Sequence, residues 1–146
     1  MELWRISNYQ DLSGIGGLRA AGRWHWQGRR IVYLADHPSS ALLEMLVHTD
    51  RDLIPASYQL LRIIVPSDLT IEAVDTKQLS VHWRTETMAS REIGDRWLDR
   101  STSALLQVPS AIAQGQNFLL NPAHPDAAKI VVAETFHSPF DARLLG

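Results

Sequence analysis

An α+β single domain, with a mixed or antiparallel sheet of short strands and few helices, is the fold class that this sequence predicts. Three observations predict it. Apolar runs of strand length recur six or seven times, whereas only two stretches carry a convincing helical pattern. The runs do not alternate with helices in the strict order of a doubly wound parallel sheet. The 146 residues are 45% hydrophobic and 21% charged, which suits one globular domain with a real core. No repeat, linker or low-complexity segment divides residues 1–146.

Each element follows from local pattern. Residues 3–6 are a short apolar-alternating run and read as a first strand carrying Arg5. Residues 8–13 make a turn, and a loop follows whose glycines at 14, 16, 17, 22 and 28 forbid a long regular element. Residues 31–35 are the next strand. Pro38, Ser39 and Ser40 then start a helix that runs to about His48. Residues 58–66 are a strongly apolar strand stopped by proline, and residues 69–79, poorly periodic, are a strand fragment plus a turn. Residues 86–101 are the clearest amphipathic helix, with Ala89, Ile93 and Trp97 on one face and Glu92, Arg96 and Arg100 on another. A strand over 104–108 runs into Pro109-Ser110. Strands over 118–120 and 129–133 are separated by N-P-A-H-P-D, a proline-punctuated turn. The tail from Phe136 on is mixed and is expected to pack over an edge.

Composition removes several function classes. A net charge of −2 supplies no global basic field for nucleic acid or an anionic membrane. The absence of cysteine excludes disulfides, thiolate zinc sites and cysteine nucleophiles together. The opening M-E-L-W-R is not a signal peptide, and no apolar run approaches the ~20 residues that span a bilayer. The expected location is cytoplasmic, away from any membrane.

The groups able to carry chemistry concentrate between Gly14 and His48. Arginines 19, 23, 29 and 30 crowd the glycine loop, with Arg5 on the neighbouring strand. Arginine grips phosphate bidentately without losing its charge, and glycines let backbone N–H groups approach an anion. The same arginines would also simply keep a surface loop hydrated, and G-I-G-G is not a dinucleotide fingerprint. Trp24, His25, Trp26 and Tyr33 add flat surfaces for stacking on a heterocycle, although a tryptophan is as often plain core. Glu44 shares a helical stripe with Ser40 and His48, opposite Leu42, Met45 and Leu46. A carboxylate there is either a solvated acid paired with His48 or a partly desolvated functional group. Ser110 lacks the G-x-S-x-G elbow of a hydrolase nucleophile and suits hydrogen bonding to a ligand ribose or amide. Asn121 before Pro122 is an ordinary turn residue by composition. None of the six histidines has H-E-x-x-H spacing, and no metal site is expected. The residues together imply a pocket for an anionic, ring-bearing ligand with one carboxylate, and leave the reaction open.

The blocks G-I-G-G-L-R-A-A-G-R-W-H, V-Y-L-A, A-L-L-E-M-L-V-H, V-P-S-A-I and N-F-L-L-N-P-A-H-P-D resemble the RES-domain toxins of RES–Xre type II toxin–antitoxin systems. The arginine, glutamate and serine that give that family its name match Arg23, Glu44 and Ser110, and the resemblance covers roughly residues 3–134. It implies a fold similar to ADP-ribosyltransferase toxins and NAD+ as substrate rather than cofactor. The nicotinamide glycosidic bond would be cleaved by hydrolysis or phosphorolysis, with depletion of cellular NAD and growth arrest. Arg5, Tyr33, Trp24 and Asn121, the last in the family's N-P-x-H-P block, would bind NAD+ beside the three name-giving residues. The implied partner is an Xre-type helix-turn-helix antitoxin, with DNA met only through it, and a homodimer is the commonest assembly for such a chain. One departure stands out: Gln114-Gly115-Gln116 replaces a stretch that is often more acidic. A protein ADP-ribosyltransferase would share the pocket and differ in acceptor. A nucleic-acid-acting toxin using the Arg/Trp loop would instead leave NAD intact and tolerate Glu44→Gln.

Overall fold

The computed structural model describes residues 1–49, 57–137 and 139–145. Seven strands form one sheet: β1 (Glu2–Ser7), β2 (Val32–Ala35), β3 (Gln59–Ile64), β4 (Ile71–Ala73), β5 (Leu105–Pro109), β6 (Gln116–Leu120) and β7 (Val131–His137). Their order across the sheet is β4-β5-β6-β2-β1-β3-β7. The pairs are antiparallel except β4 with β5. Among the described residues three α-helices accompany them: a single turn α1 (Gly16–Arg19) inside the glycine loop, α2 (Pro38–His48) and α3 (Met88–Arg100). The expected α+β class is what the chain adopts, and no helix among the described residues is long and apolar enough to cross a membrane.

Strand alternation builds two cores, because successive side chains leave opposite faces of a strand. Val32 and Leu34 of β2, Leu105 of β5, and Phe118 and Leu120 of β6 join Leu3, Leu61 and Ile63 on one face. Leu106, Val108 and Leu119 point to the other face, where they meet Trp24, Trp83, Trp97 and Leu98. Leu119 lies opposite Tyr33, and Asn117 lies opposite both Ala35 and Val108. Asn117 and Tyr33 therefore share the second face. Trp97 is fully buried there, and its indole N–H donates to Ser103 Oγ at 3.0 Å, so the ring enters the core with its one donor satisfied.

Several expected boundaries move. The strand placed at 129–133 begins at Val131, because Pro125–Lys129 forms a 3-10 turn capped by the His124 imidazole, which accepts from the Asp126 N–H. β7 runs on through Phe136, whose ring packs 6.5 Å from Trp4, so the tail expected from Phe136 starts later. Its residues 138 and 146 lie outside the described residues. The buried stripe of α3 is Ser90, Gly94, Trp97 and Leu98 rather than Ala89, Ile93 and Trp97. Gly94 explains that rotation. It packs against the Trp24 carbonyl so closely that a Cβ would overlap it, and the gap that a hydropathy pattern ignores is the contact surface.

Candidate active site

α2 starts where its sequence allows it to start. Pro38 has its φ already fixed for a first helical turn, and the extended His37 caps the helix as its Nδ1 accepts from the Ser39 N–H at 3.1 Å. Ala41 and Met45 bury one side of the helix, which lies along β1 and β2 on the face that carries Asn117. Glu44 is thereby turned toward β6. Its Oε1 accepts from Asn117 Nδ2 at 2.7 Å and from Ser110 Oγ at 3.3 Å. Its Oε2 lies 3.8 Å from His48 Nε2, an ion-pair distance rather than a hydrogen bond. Burial pushes the Glu44 carboxyl upward, but His48, Asn117 and Ser110 together outweigh it and hold the group below the ordinary glutamate value. The half-buried carboxylate is thus charged at neutral pH.

Ser110 sits just past the end of β5 and is almost entirely buried. Its hydroxyl, besides donating to Glu44, accepts from the N–H groups of Ile112 and Ala113 at 3.3 Å each, and its own N–H donates to the Gly115 carbonyl at 3.1 Å. That arrangement folds residues 110–115 into a tight loop joining β5 to β6. Gly115 has φ +144, a conformation that side chains rarely adopt. Ser40, Leu43 and Glu44 from α2 face this loop across a shallow cleft that Asn117 also lines. The uncharged Gln114-Gly115-Gln116 stretch forms its rim.

Arg23, Trp24 and Tyr33 form a second group on the same sheet face. Tyr33 is two strand positions from Ala35, so its Cβ lies roughly 7–8 Å diagonally from that of Asn117. Its hydroxyl accepts from the Trp24 N–H at 3.0 Å and meets His25 Nδ1 at 2.8 Å. His25 Nδ1 also accepts from the Gly22 N–H at 3.2 Å, so the ring proton belongs on Nε2, which reaches the Ala20 carbonyl at 3.0 Å. Tyr33 then donates to His25. Burial drives the phenol well above its ordinary value and lowers the His25 imidazole, which leaves both neutral. Tyr33 thus pins the 22–25 turn with its hydroxyl. The Trp24 ring is 2% exposed and packs 6.0 Å from Trp83, so it serves the core rather than offering a face to a ligand.

Arg23 does not pair with Glu44. Its guanidinium donates to the carbonyls of Trp83 and Arg84 at 3.1 and 3.0 Å and lies 5.8 Å from the Trp83 ring centroid. Among the described residues its acceptors are these two neutral carbonyls. Arg5 stands apart. It donates to the Asp11 carbonyl at 3.2 Å and lines a different, larger cleft of about 230 Å³ with Gly14, Ile15 and Gly16. Desolvation lowers its pKa, and Asp11 opposes the shift. Asn121 lies at the far end of β6, roughly 13 Å along the strand from Asn117. Its amide bonds Ser101 Oγ at 3.3 Å and its carbonyl accepts from the Ala123 N–H at 3.0 Å, the work of a turn residue.

The structure therefore brings Glu44 and Ser110 into contact with Asn117, sets Arg23 and Tyr33 in a separate group joined to Trp83, Arg84 and His25, and places Arg5 and Asn121 elsewhere. Asn117 was not among the candidates. Its signal in the sequence is the polar residue opening the apolar run F-L-L, one position outside the expected strand.

Comparison with known proteins places the chain in a family. A RES-domain family model matches residues 2–141. "Toxin Res" of Pseudomonas putida is 46% identical over 139 residues, covering 92% of this chain and 94% of its own. The "Prs ADP-ribosylating toxin" of a Sphingobium species is 35% identical over 153 aligned positions, covering 97% and 95%. The crystal structure of the M. tuberculosis MbcT–MbcA toxin–antitoxin complex contains a chain of the same fold, with a TM-score of 0.78 at 18% identity, over 99% of this chain and 86% of that one. With its family model spanning nearly the whole sequence and curated toxins among its relatives, the chain belongs to the RES-domain family of toxins.

Proposed function

We propose that this toxin binds NAD+ and cleaves its nicotinamide glycosidic bond, so that growth stops as cellular NAD is depleted. The observation that carries the reading is the Glu44 carboxylate: charged, half-buried, and fixed on a cleft floor by Asn117 and Ser110. Cleavage of a C–N glycosidic bond develops positive charge on the ribose, and a preorganised carboxylate stabilises that charge without reorganising. The bond breaks with its electron pair leaving on neutral nicotinamide. Water then adds to give ADP-ribose and a proton, or phosphate adds to give ADP-ribose-1″-phosphate. Ser110 would meet the ribose or the carboxamide. Arg23, which among the described residues donates to two carbonyls and meets no carboxylate, would meet the pyrophosphate. Tyr33 would act by holding the turn that carries Arg23, since its own hydroxyl is engaged within the protein.

A second reading is favoured by the Sphingobium relative, whose name states ADP-ribosylation of Prs. Transfer of ADP-ribose to a protein acceptor would use the same carboxylate with a different nucleophile. The partner proposed for either reading is an Xre-type antitoxin, in line with the neighbouring fold solved as a toxin–antitoxin complex.

The test is incubation of the purified chain with NAD+, with and without phosphate, and identification of products by mass. Nicotinamide with ADP-ribose indicates hydrolysis, and a phosphate-dependent ADP-ribose-1″-phosphate indicates phosphorolysis. NAD+ left intact until a protein acceptor is added selects the second reading, and NAD+ left intact throughout contradicts both.

A further inference from the structure

We propose that Asn117 is a positioning residue that divides the two oxygens of the Glu44 carboxylate, tying Oε1 to the sheet and presenting Oε2 to the substrate. The inference rests on the reading of Glu44 as the charge that meets the ribose.

Three observations lead to it. The Asn117 bond to Oε1 is 2.7 Å, short for a charge-assisted contact, whereas the Ser110 bond to the same oxygen is 3.3 Å and its hydroxyl is shared with two backbone N–H groups. Asn117 is also the better-anchored partner. It lies in an interior strand, paired with Ala35 of β2 on one side and Val108 of β5 on the other. A glutamate on a helix has three side-chain torsions, and this strand-held amide fixes the end of them. The third observation is what Oε2 lacks. Among the described residues its close neighbour is His48 at 3.8 Å, on a side chain 67% exposed, so its lone pairs remain open toward the cleft.

The orientation of the amide follows from chemistry. An ionised carboxylate only accepts, so the NH2 end of Asn117 must face it. Among the described residues the charged surroundings are few. His48 comes from the same helix, and residues 105–120 of β5, its loop and β6 contain no titratable group. At the end of β2, Asp36 Oδ2 accepts from the Gln116 N–H at 3.4 Å and faces the outer side of the same loop. From β1, Glu2 is paired with Arg62, and Arg5 lines the other cleft.

The experiment compares Asn117→Ala and Asn117→Asp with the parent chain, for NAD+ turnover across pH and for the Glu44 carboxyl titration by 13C NMR of glutamate-labelled protein. Asn117→Ala is expected to lower kcat roughly 10- to 100-fold, the size of one hydrogen bond to a charge, with little change in KM. Asn117→Asp has the same shape but sets a second carboxylate against the first. Near neutral pH the two repel. At lower pH they share a proton, and the acid then donates to Glu44 as the amide does. Its activity relative to the parent chain should therefore recover by about fivefold or more on acidification from about pH 7.5 to about pH 5.5, a recovery that Asn117→Ala cannot show. In both variants the Glu44 titration should move up. A merely structural residue would lose the same factor in both variants at every pH with the Glu44 titration unmoved, and that result would overturn the proposal. If the parent chain leaves NAD+ untouched, the proposed reaction fails, and the titration alone decides: an unmoved Glu44 refutes the role of Asn117.

Discussion

A carboxylate that meets a developing cation must be charged, close and unable to swing away. Glu44 satisfies the first and last of these through its neighbours, because Asn117 and Ser110 donate to one oxygen and His48 flanks the other. Arg23 is arranged differently. It joins the 22–25 turn to residues 83 and 84 through two neutral carbonyls and, among the described residues, meets no carboxylate. Arg23→Ala should therefore have two effects. Loss of two hydrogen bonds from a charged donor should lower stability by about 1–3 kcal/mol. Loss of the cation should raise the KM for NAD+ by about tenfold or more. Urea unfolding and initial rates measure the two separately, and an unchanged KM would remove Arg23 from the binding role. At this scale the sequence was partly legible. Glu44 stood out as an acid among leucines, and Ser110 as a hydroxyl at a strand end. Asn117 did not, since its role comes from register with Ala35 and Val108, a non-local fact. Trp24 and Asn121 show the converse. A ring beside arginines and an amide in a shared motif looked like ligand contacts, while burial and turn hydrogen bonds use both of them inside the fold.

Among the elements, α3 sets how firmly the arginine turn is held. Ser90 Oγ donates to the Arg23 carbonyl at 2.6 Å, Arg91 Nε donates to the Gly22 carbonyl at 2.7 Å, and Gly94 admits the Trp24 carbonyl. Gly94→Ala would drive a methyl group into that carbonyl. Against the usual helix preference for alanine, it should destabilise by about 3 kcal/mol or more, as overpacking does. A denaturant midpoint equal to or above that of the parent chain would contradict this packing. The amphipathic pattern located α3 and its length, yet misjudged its buried stripe by about one residue, because glycine and serine score as neutral where they make the tightest contacts. The turn that α3 holds also carries a pH signature. Burial lowers the His25 pKa below 6.5, so the unfolded chain binds the proton more readily. The stabilisation is present above pH 6.5 and is lost as pH falls through the folded value. Stability measured by urea unfolding should decline from pH 7 toward pH 5, and His25→Gln should be less stable at neutral pH but flatter across that range. An equally steep decline in the variant would place the titration elsewhere.

The whole molecule is a mixed sheet with one face given over to a carboxylate cleft and an arginine turn, braced by α2 and α3. Its class was readable because strand-length apolar runs outnumber helices and do not alternate with them. The sheet order β4-β5-β6-β2-β1-β3-β7 was not readable, since it depends on pairings such as β2 with β6 that join residues more than 80 positions apart. That pairing is what sets Glu44 above Asn117 and beside Ser110, and so makes one site from three distant stretches. The most direct test of the account is the rate of NAD+ consumption by purified Glu44→Gln beside the parent chain, with unfolding midpoints measured on the same samples. Glutamine keeps the shape and removes the charge, so turnover should fall by about 10²-fold or more while the folded state persists. Turnover within about twofold of the parent chain, in a variant that is folded, would contradict the central claim that this carboxylate stabilises the breaking glycosidic bond.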